Sequence, residues 1–179
     1  PFMAIIQEVY RNEHDLVMIT SEQKQGLGHH FLASTSLHLM RKCPCPVWVI
    51  KPTKPHRYFR ILAAVDPMDD SKTNTSLNNT ILGLASSVAE LEKSELHVVH
   101  AWSLWAEDRL RHGAPIDPEE VDKWTKDIGN RHKRRLAEMV EERAWGEVEP
   151  KVHLVKGKAG TIIPELAQKK KIDLIVMGT

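Results

Sequence analysis

The feature that most constrains the fold is an apolar run closing in glycine, Asp173-Leu-Ile-Val-Met-Gly-Thr179. Four apolar residues follow one charged residue, a pattern typical of an interior parallel strand that is buried on both faces. Glycine at the end of such a strand lets a ligand approach the backbone without obstruction by a side chain. The run therefore predicts a parallel sheet with an approachable edge at Gly178.

A run of the same kind occurs near the beginning of the chain. Asp15-Leu-Val-Met-Ile-Thr20 aligns with residues 173–178 at an offset of 158 residues, and residues 5–9 align with residues 162–166 at an offset of 157. Each copy reads as a short helix followed by a strand. An offset of about one domain length is too long for a solenoid repeat. The sequence therefore predicts a tandem duplication that is only partly present here.

A proline-containing segment, Lys51-Pro-Thr-Lys-Pro-His56, reads as a linker between the two copies. We predict that residues 1–52 are the C-terminal part of a first repeat. Residues 53–179 are then a second repeat that lacks its last helix and strand. Strands alternate with helices in the second repeat, which predicts a doubly wound α/β fold with a parallel sheet covered on both faces.

Helix patterns in the second repeat are strong enough to predict buried faces and helix starts. After a cap at Asp70 or Ser71, one apolar stripe is Leu77, Ile81, Leu84, Ala85, Val88 and Leu91. We expect Leu84 to be buried against the sheet, so that Leu84→Ala would cost about 2–5 kcal/mol. Asp117-Pro118 predicts the capped start of the next helix.

Composition argues against several classes of partner. The formal net charge is +1, which offers no strong field for nucleic acid, and no apolar run approaches the length of a membrane span. The two cysteines, Cys43 and Cys45, lie too close in sequence for an easy disulfide. Without a second pair, their spacing is also poor for a metal site. We interpret them as structural, and the lack of a disulfide framework favours a cytoplasmic location.

Two positions at predicted strand ends are candidates for ligand contact, because ligands of such sheets bind beyond the carboxyl ends of the strands. Asp66 can accept hydrogen bonds from a ribose or a base, or it can cap its own turn. Gly178-Thr179 can begin a phosphate loop or form an ordinary turn. His97 and His100 should face opposite sides of a strand, which is wrong for shared metal ligation. We predict no catalytic residues and no metal site.

Four runs, in their order along the chain, resemble the universal stress protein family. They are Cys45-Pro-Val-Trp-Val-Ile50, Ile61-Leu-Ala-Ala-Val-Asp66, Gly157-Lys-Ala-Gly-Thr-Ile-Ile163 and Asp173-Leu-Ile-Val-Met-Gly-Thr179. The arrangement is most similar to tandem-domain, E-type members. The resemblance implies an adenine-nucleotide alpha hydrolase-like fold with strand order 3-2-1-4-5. It also implies ATP binding in many members, through Gly-x-x-Gly-x9-Gly-Ser/Thr after the fourth strand and an Asp after the first.

The family pattern transfers unequally to the two repeats. In the first repeat the matching positions are Thr20, Gln23, Ala33 and Ser34. The three glycines are lost there, so we expect no ATP binding of that kind. In the second repeat the resemblance implies a cofactor-binding set of Ala64, Asp66, Ala101, Met177, Gly178 and Thr179. The resemblance thus implies that the second repeat can bind ATP when it is full-length, although no cofactor is required.

The resemblance favours a cytoplasmic stress-response protein that binds ATP and regulates rather than catalyses. One alternative is an interaction or dimerisation scaffold of the same fold that does not bind nucleotide, and a weaker one is an ATP hydrolase or phosphotransferase. No membrane or nucleic-acid partner is expected. Because incomplete sheets leave unpaired edges, we expect homo-oligomer or repeat–repeat association. Residues 47–50 could complete the second sheet, within the chain or in another copy.

Overall fold

The computed structural model describes residues 1–20, 34–51, 57–104, 107–112 and 116–178. The chain forms two compact units, Pro1–His56 and Arg57–Gly178. Both combine helices with parallel strands, so the predicted α/β class is confirmed. The division of the chain into two repeats stays a prediction.

The first unit contains two helices and two strands among its described residues. They are α1 (Phe2–Asn12), β1 (Val17–Thr20), α2 (Ser34–Lys42) and β2 (Val47–Ile50). β2 pairs in parallel with β1 in a sheet of their own, and completion of the second sheet by residues 47–50 stays a prediction. β1, α2 and β2 follow one another in sequence, and such a crossover brings neighbouring strands together at low entropic cost.

The second unit carries the larger sheet. Its elements are β3 (Arg60–Ala64), α3 (Lys72–Glu92), β4 (Glu95–Trp102), α4 (Glu107–His112), α5 (Pro118–Glu141), β5 (Lys151–Lys156), α6 (Ala159–Lys170) and β6 (Leu174–Met177). The strands are parallel and lie in the order β5-β4-β3-β6. Counted within the unit, this is 3-2-1-4. The sheet has no fifth strand among the described residues, so the order 3-2-1-4-5 stays a prediction.

The centre of this sheet is β3, which is buried on both faces. Ile61 and Ala63 belong to a core cluster that includes residues of α3 and α5. Leu62, between them in sequence, faces the other side and packs in a cluster with Ile163 of α6. Helices therefore cover both faces of the sheet, which explains why the strand sequence is apolar throughout rather than alternating.

Local sequence signals at two helix starts act as predicted. The Ser71 hydroxyl accepts a hydrogen bond from the Asn74 N–H at 3.2 Å and caps α3. Asp117 caps α5 by accepting from the Glu119 N–H at 2.9 Å, and Pro118 is the first helical residue. The sequence did not predict α4, a helix of six residues in a stretch that reads as irregular.

The predicted buried face of α3 is wrong at Leu84. Its exposed fraction is 39%, whereas Leu82 is 1% exposed. The buried residues of the helix are Asn78, Ile81, Leu82, Ala85 and Ala89. The helix itself is confirmed, but its face is rotated, because small and polar residues occupy positions that contact the core. Leu77, Leu84 and Leu91, spaced seven apart, lie instead on the more exposed side.

Candidate ligand-binding site

The carboxyl ends of β3 and β6 meet where the sheet reverses its direction of growth. From β3 the chain continues to β4 and β5 on one side, and β6 then adds to the other side of β3. Ala64 of β3 is in register with Met177 of β6. Such a reversal opens a crevice outside the strand ends, where ligands of doubly wound sheets bind.

Asp66 lies just beyond the end of β3, and its backbone is held from α3. The Asn78 side chain, which is 3% exposed, accepts a hydrogen bond from the Asp66 N–H at 3.1 Å and donates to the Asp66 carbonyl at 2.8 Å. Asn74 donates a further hydrogen bond to the same carbonyl at 2.8 Å. Two amide side chains thus fix the backbone position of Asp66, while the residue itself is exposed.

The Asp66 carboxylate does cap its own turn, one of the two alternatives that the sequence left open. Its Oδ1 accepts a hydrogen bond from the Met68 N–H at 3.1 Å. A carboxylate has two oxygens and about four acceptor positions, so one turn contact uses only part of its capacity. The turn role therefore leaves the exposed side chain able to accept hydrogen bonds from a ligand.

Gly178 has a packing explanation that requires no ligand. A Cβ atom at this position would lie 2.6 Å from Cδ2 of Leu77, which is closer than real Cβ contacts. Leu77 therefore occupies the space beside the backbone at the end of β6. An ordinary side chain at residue 178 would have to displace it.

The predicted site residues are only partly gathered at this edge. Ala64, Asp66, Met177 and Gly178 lie at the ends of adjacent strands, and Ala101 is on neighbouring β4. In the first unit, Thr20 ends β1 and Ser34 begins α2. Gln23, Ala33 and Thr179 lie outside the described residues.

A histidine pair that the sequence did not reveal links β3, β4 and α5 beside Asp66. His100 Nδ1 lies 3.0 Å from the Val65 carbonyl oxygen, and His100 Nε2 lies 2.7 Å from His132 Nδ1. A carbonyl can only accept, so the proton of neutral His100 is on Nδ1 and its Nε2 accepts from His132 Nδ1–H. Burial, the largest cause, lowers the pKa of both imidazoles. Both imidazoles are therefore uncharged at neutral pH, and their hydrogen bond links β4 to α5.

Trp102, the last residue of β4, packs against this histidine pair. The His132 ring stacks on Trp102 with ring centroids 5.1 Å apart, and the Lys156 ammonium lies 5.8 Å from the centre of the Trp102 ring. A Cβ on Gly129 would lie 2.9 Å from Trp102 Cζ2. Glycine at that position lets α5 approach the indole closely.

The cations at the neighbouring strand end are already paired. Lys156 donates to Glu107 at 2.6 Å, and Arg111 contacts Glu107 at 3.0 Å and Asp122 at 2.7 Å. The hydrogen bond from Lys156 is the largest cause of the lowered pKa of the Glu107 carboxyl. This network ties α4 to β5 and α5, so these two cations are committed to protein carboxylates rather than free for phosphate.

A second histidine pair lies on the opposite side of β4, which confirms that His97 and His100 face opposite ways. His97 Nδ1 lies 2.8 Å from His153 Nε2, and His97 Nε2 lies 3.1 Å from Glu95 Oε1. No group of three or more His, Cys, Asp or Glu side chains is arranged to hold a metal within the described part of the chain. Among the described helices, none combines the length and apolar character that crossing a membrane requires.

The strand order and the helices on both faces define a doubly wound α/β protein whose sheet reverses its direction of growth beside β3. The family model described as "Universal stress protein family" matches residues 1–51 and 57–179, and the chain belongs to that family. It is 30% identical over 180 residues to universal stress protein E of Escherichia coli strain K12, a match that covers 100% of this chain and 55% of that protein. It is 26% identical to a universal stress protein E homolog of Haemophilus influenzae, a match that covers 98% of this chain and 56% of that protein.

Solved structures show the same fold. A crystal structure of a functionally unknown protein from Pseudomonas aeruginosa PAO1 matches with a TM-score of 0.77 and 26% identity, over 100% of this chain and 57% of that one. A universal stress protein from Archaeoglobus fulgidus matches with a TM-score of 0.60 and 19% identity, over 100% and 55%, which supports the fold alone. The chain spans about half the length of the curated relatives it matches.

Proposed function

We propose that the second unit binds an adenine nucleotide, ATP first among them, at the carboxyl ends of β3 and β6. The observation that carries this proposal is Asp66, an exposed carboxylate whose backbone is fixed by Asn74 and Asn78 at the point of strand reversal. A fixed acceptor costs less conformational entropy when it binds a ribose hydroxyl or a base amine. Family membership supports a role in stress response, which we place in the cytoplasm.

We propose that this role is regulatory rather than catalytic. Among the described residues at this edge, the groups that could act as acid, base or phosphate ligand have structural partners. His100 and His132 bond to each other and to Val65, and Lys156 and Arg111 are paired with carboxylates. An ATP hydrolase or phosphotransferase would need a positioned base or a metal-binding carboxylate pair. It is the weakest of the three functions.

The second candidate function is an interaction scaffold that does not bind nucleotide. Leu77 fills the space beside Gly178, and Asp66 caps its own turn. Each contact explains a residue of the proposed site without a ligand, Gly178 by packing and Asp66 by a hydrogen bond within its turn. Self-association through sheet edges, as a homo-oligomer or between repeats, belongs with this candidate and remains a prediction.

Replacing Asp66 tests the proposal against the scaffold. In the full-length protein, Asp66→Ala should weaken ATP binding by about 0.5–3 kcal/mol, because a hydrogen-bond acceptor for the ligand is lost. Isothermal titration calorimetry measures the effect. Asp69→Ala is the matched control, since Asp69 Oδ1 accepts from the Ser71 N–H in a neighbouring turn at 2.9 Å but lies further from the strand end.

The outcomes of this titration separate the candidates. A loss with Asp66→Ala and little change with Asp69→Ala supports ligand contact at the strand end. Equal affinity in the wild type and Asp66→Ala would refute this role of the carboxylate. No heat of ATP binding by the wild-type protein would favour the scaffold.

A further inference from the structure

The turn between α2 and β2 holds the two cysteines of the chain within contact of each other. Cys43 Sγ and Cys45 Sγ are 3.6 Å apart, and both residues are partly buried. Cys43 ends the last turn of α2, where its N–H donates to the Leu39 carbonyl at 2.8 Å. Pro44 stands between the cysteines, and its fixed φ limits the conformations that could separate the two thiols. The two sulfurs are therefore preorganised for reaction with each other.

We propose that Cys43 and Cys45 are a reversible dithiol–disulfide site whose oxidant is hydrogen peroxide or a related two-electron thiol oxidant. This site lies in the first unit and does not depend on nucleotide binding by the second. The sequence spacing alone argues against an easy disulfide. The sulfur–sulfur contact shows instead that a small movement would bring the atoms to bonding distance, about 2.05 Å.

The reaction balances with peroxide as the only co-reactant. A thiolate attacks one peroxide oxygen, the O–O bond breaks, and the departing oxygen leaves as water after taking up a proton, which yields a sulfenic acid. The second thiol attacks the sulfenic sulfur, an S–S bond forms, and the sulfenic oxygen leaves as a second water. Two thiols lose two electrons and one peroxide gains them.

The order of attack follows from which sulfur keeps its proton. Burial, followed by the hydrogen bond with Cys43, raises the pKa of the Cys45 thiol to about 11. Cys45 therefore stays protonated at neutral pH, and a protonated thiol is a poor nucleophile. This assigns Cys43 as the sulfur that attacks peroxide and Cys45 as the thiol that resolves the sulfenic acid.

Access and strain both favour a labile bond. A groove of about 460 Å³ borders Cys45, and its lining includes Tyr10, Glu13, His14 and Asp15. It is wide enough for a small oxidant or reductant. A disulfide across a single intervening residue closes a small, strained ring, and strained disulfides are reduced more easily than structural ones. The bond should therefore form under oxidant and be lost again in excess glutathione.

Intact mass spectrometry with thiol labelling tests this site. After treatment with millimolar hydrogen peroxide, the wild type should lose about 2 Da together with both iodoacetamide-reactive thiols, and dithiothreitol should restore them. Cys45→Ser cannot close the bond. It should accumulate a sulfenic acid that dimedone labels at least about tenfold more than the wild type. Cys43→Ser should show neither the 2 Da loss nor strong labelling.

Two results would overturn the proposal. One is a wild-type protein that keeps both reactive thiols under conditions that label Cys45→Ser. The other is direct oxidation of the wild type to sulfinic acid, with a gain of about 32 Da and no species lighter by 2 Da. Circular dichroism spectra of both single variants that match the wild type would show that neither result comes from a loss of folding.

Discussion

Leu82→Ala should lower the free energy of unfolding by about 2–5 kcal/mol, because it removes a fully buried side chain from the middle of α3. Leu82 is 1% exposed and packs in the core cluster with Ile61 and Ala85. Leu84→Ala, two residues away on the same helix, should cost about 1 kcal/mol or less, since Leu84 is 39% exposed. The pair shares residue type, helix and helix propensity, so the difference isolates burial.

Urea unfolding monitored by tryptophan fluorescence measures both variants. Four of the five tryptophans belong to the second unit, so the signal reports mainly on the sheet that α3 covers. Equal losses for Leu82→Ala and Leu84→Ala would mean that Leu82 does not lie on the buried face of α3 that Ile81 and Ala85 share. A larger loss for Leu84→Ala would restore the face expected from the sequence.

Acidification below pH 6.5 should destabilise the second unit through its two histidine pairs. Burial is the largest cause that lowers the pKa of His97, His100, His132 and His153. The unfolded chain, whose histidines have a pKa near 6.5, therefore binds more protons than the folded chain as the pH falls. The stabilising contribution is complete above about pH 6.5 and is lost below it, at about 1.4 kcal/mol per pH unit for each extra proton bound by the unfolded chain.

Urea midpoints measured from pH 8 to pH 5 test this dependence. The double variant His97→Phe with His153→Phe keeps two stacked rings but removes one of the two titrating pairs. Its profile should be flatter than that of the wild type. A wild-type stability that stays level, or rises, between pH 7 and pH 5 would show that the pairs take up protons without loss of the fold.

Strand positions could be predicted from the sequence most directly where a strand is a nearly continuous apolar run bounded by polar or turn-forming residues, as in β2 and β3. Residues 47–50 and 60–64 appear as strands almost as expected. The cap of α5 was predicted at Asp117 and that of α3 at Asp70 or Ser71, of which Ser71 is the cap; both could be predicted because capping depends only on residues within one turn. Local chemistry therefore accounts for where these elements begin and end.

The face of α3 could not be read in the same way. Leucines at positions 77, 84 and 91 dominate its apolar pattern, while Asn78, Ala85 and Ala89 form much of the buried side. Alanine adds little to a hydrophobic stripe, and a buried asparagine subtracts from it. Close packing of the helix on the sheet and two hydrogen bonds to Asp66 determine which face of α3 is buried. Neither interaction produces a periodic pattern in the sequence.

The side-chain contacts at and near the candidate site could not be predicted from the sequence for a related reason. His100 and His132 are 32 residues apart, and His97 and His153 are 56 apart, so only the folded sheet brings each pair together. Asp66 was recognisable by its place after a strand, but its two asparagine supports lie one and two turns into the next helix. The sequence signal that could have revealed these two asparagines is an asparagine among the apolar residues of a helix face that packs on the core.

Amide NMR of the protein during an ATP titration tests the central claim most directly, namely that the nucleotide binds at the carboxyl ends of β3 and β6. Nucleotide binding there should change the amide shifts of Asp66, Ala101 and Gly178. The backbone amides of Val17–Thr20 in the first unit should stay unchanged and serve as an internal control. Shifts confined to the first unit, or no shifts in millimolar ATP, would contradict it.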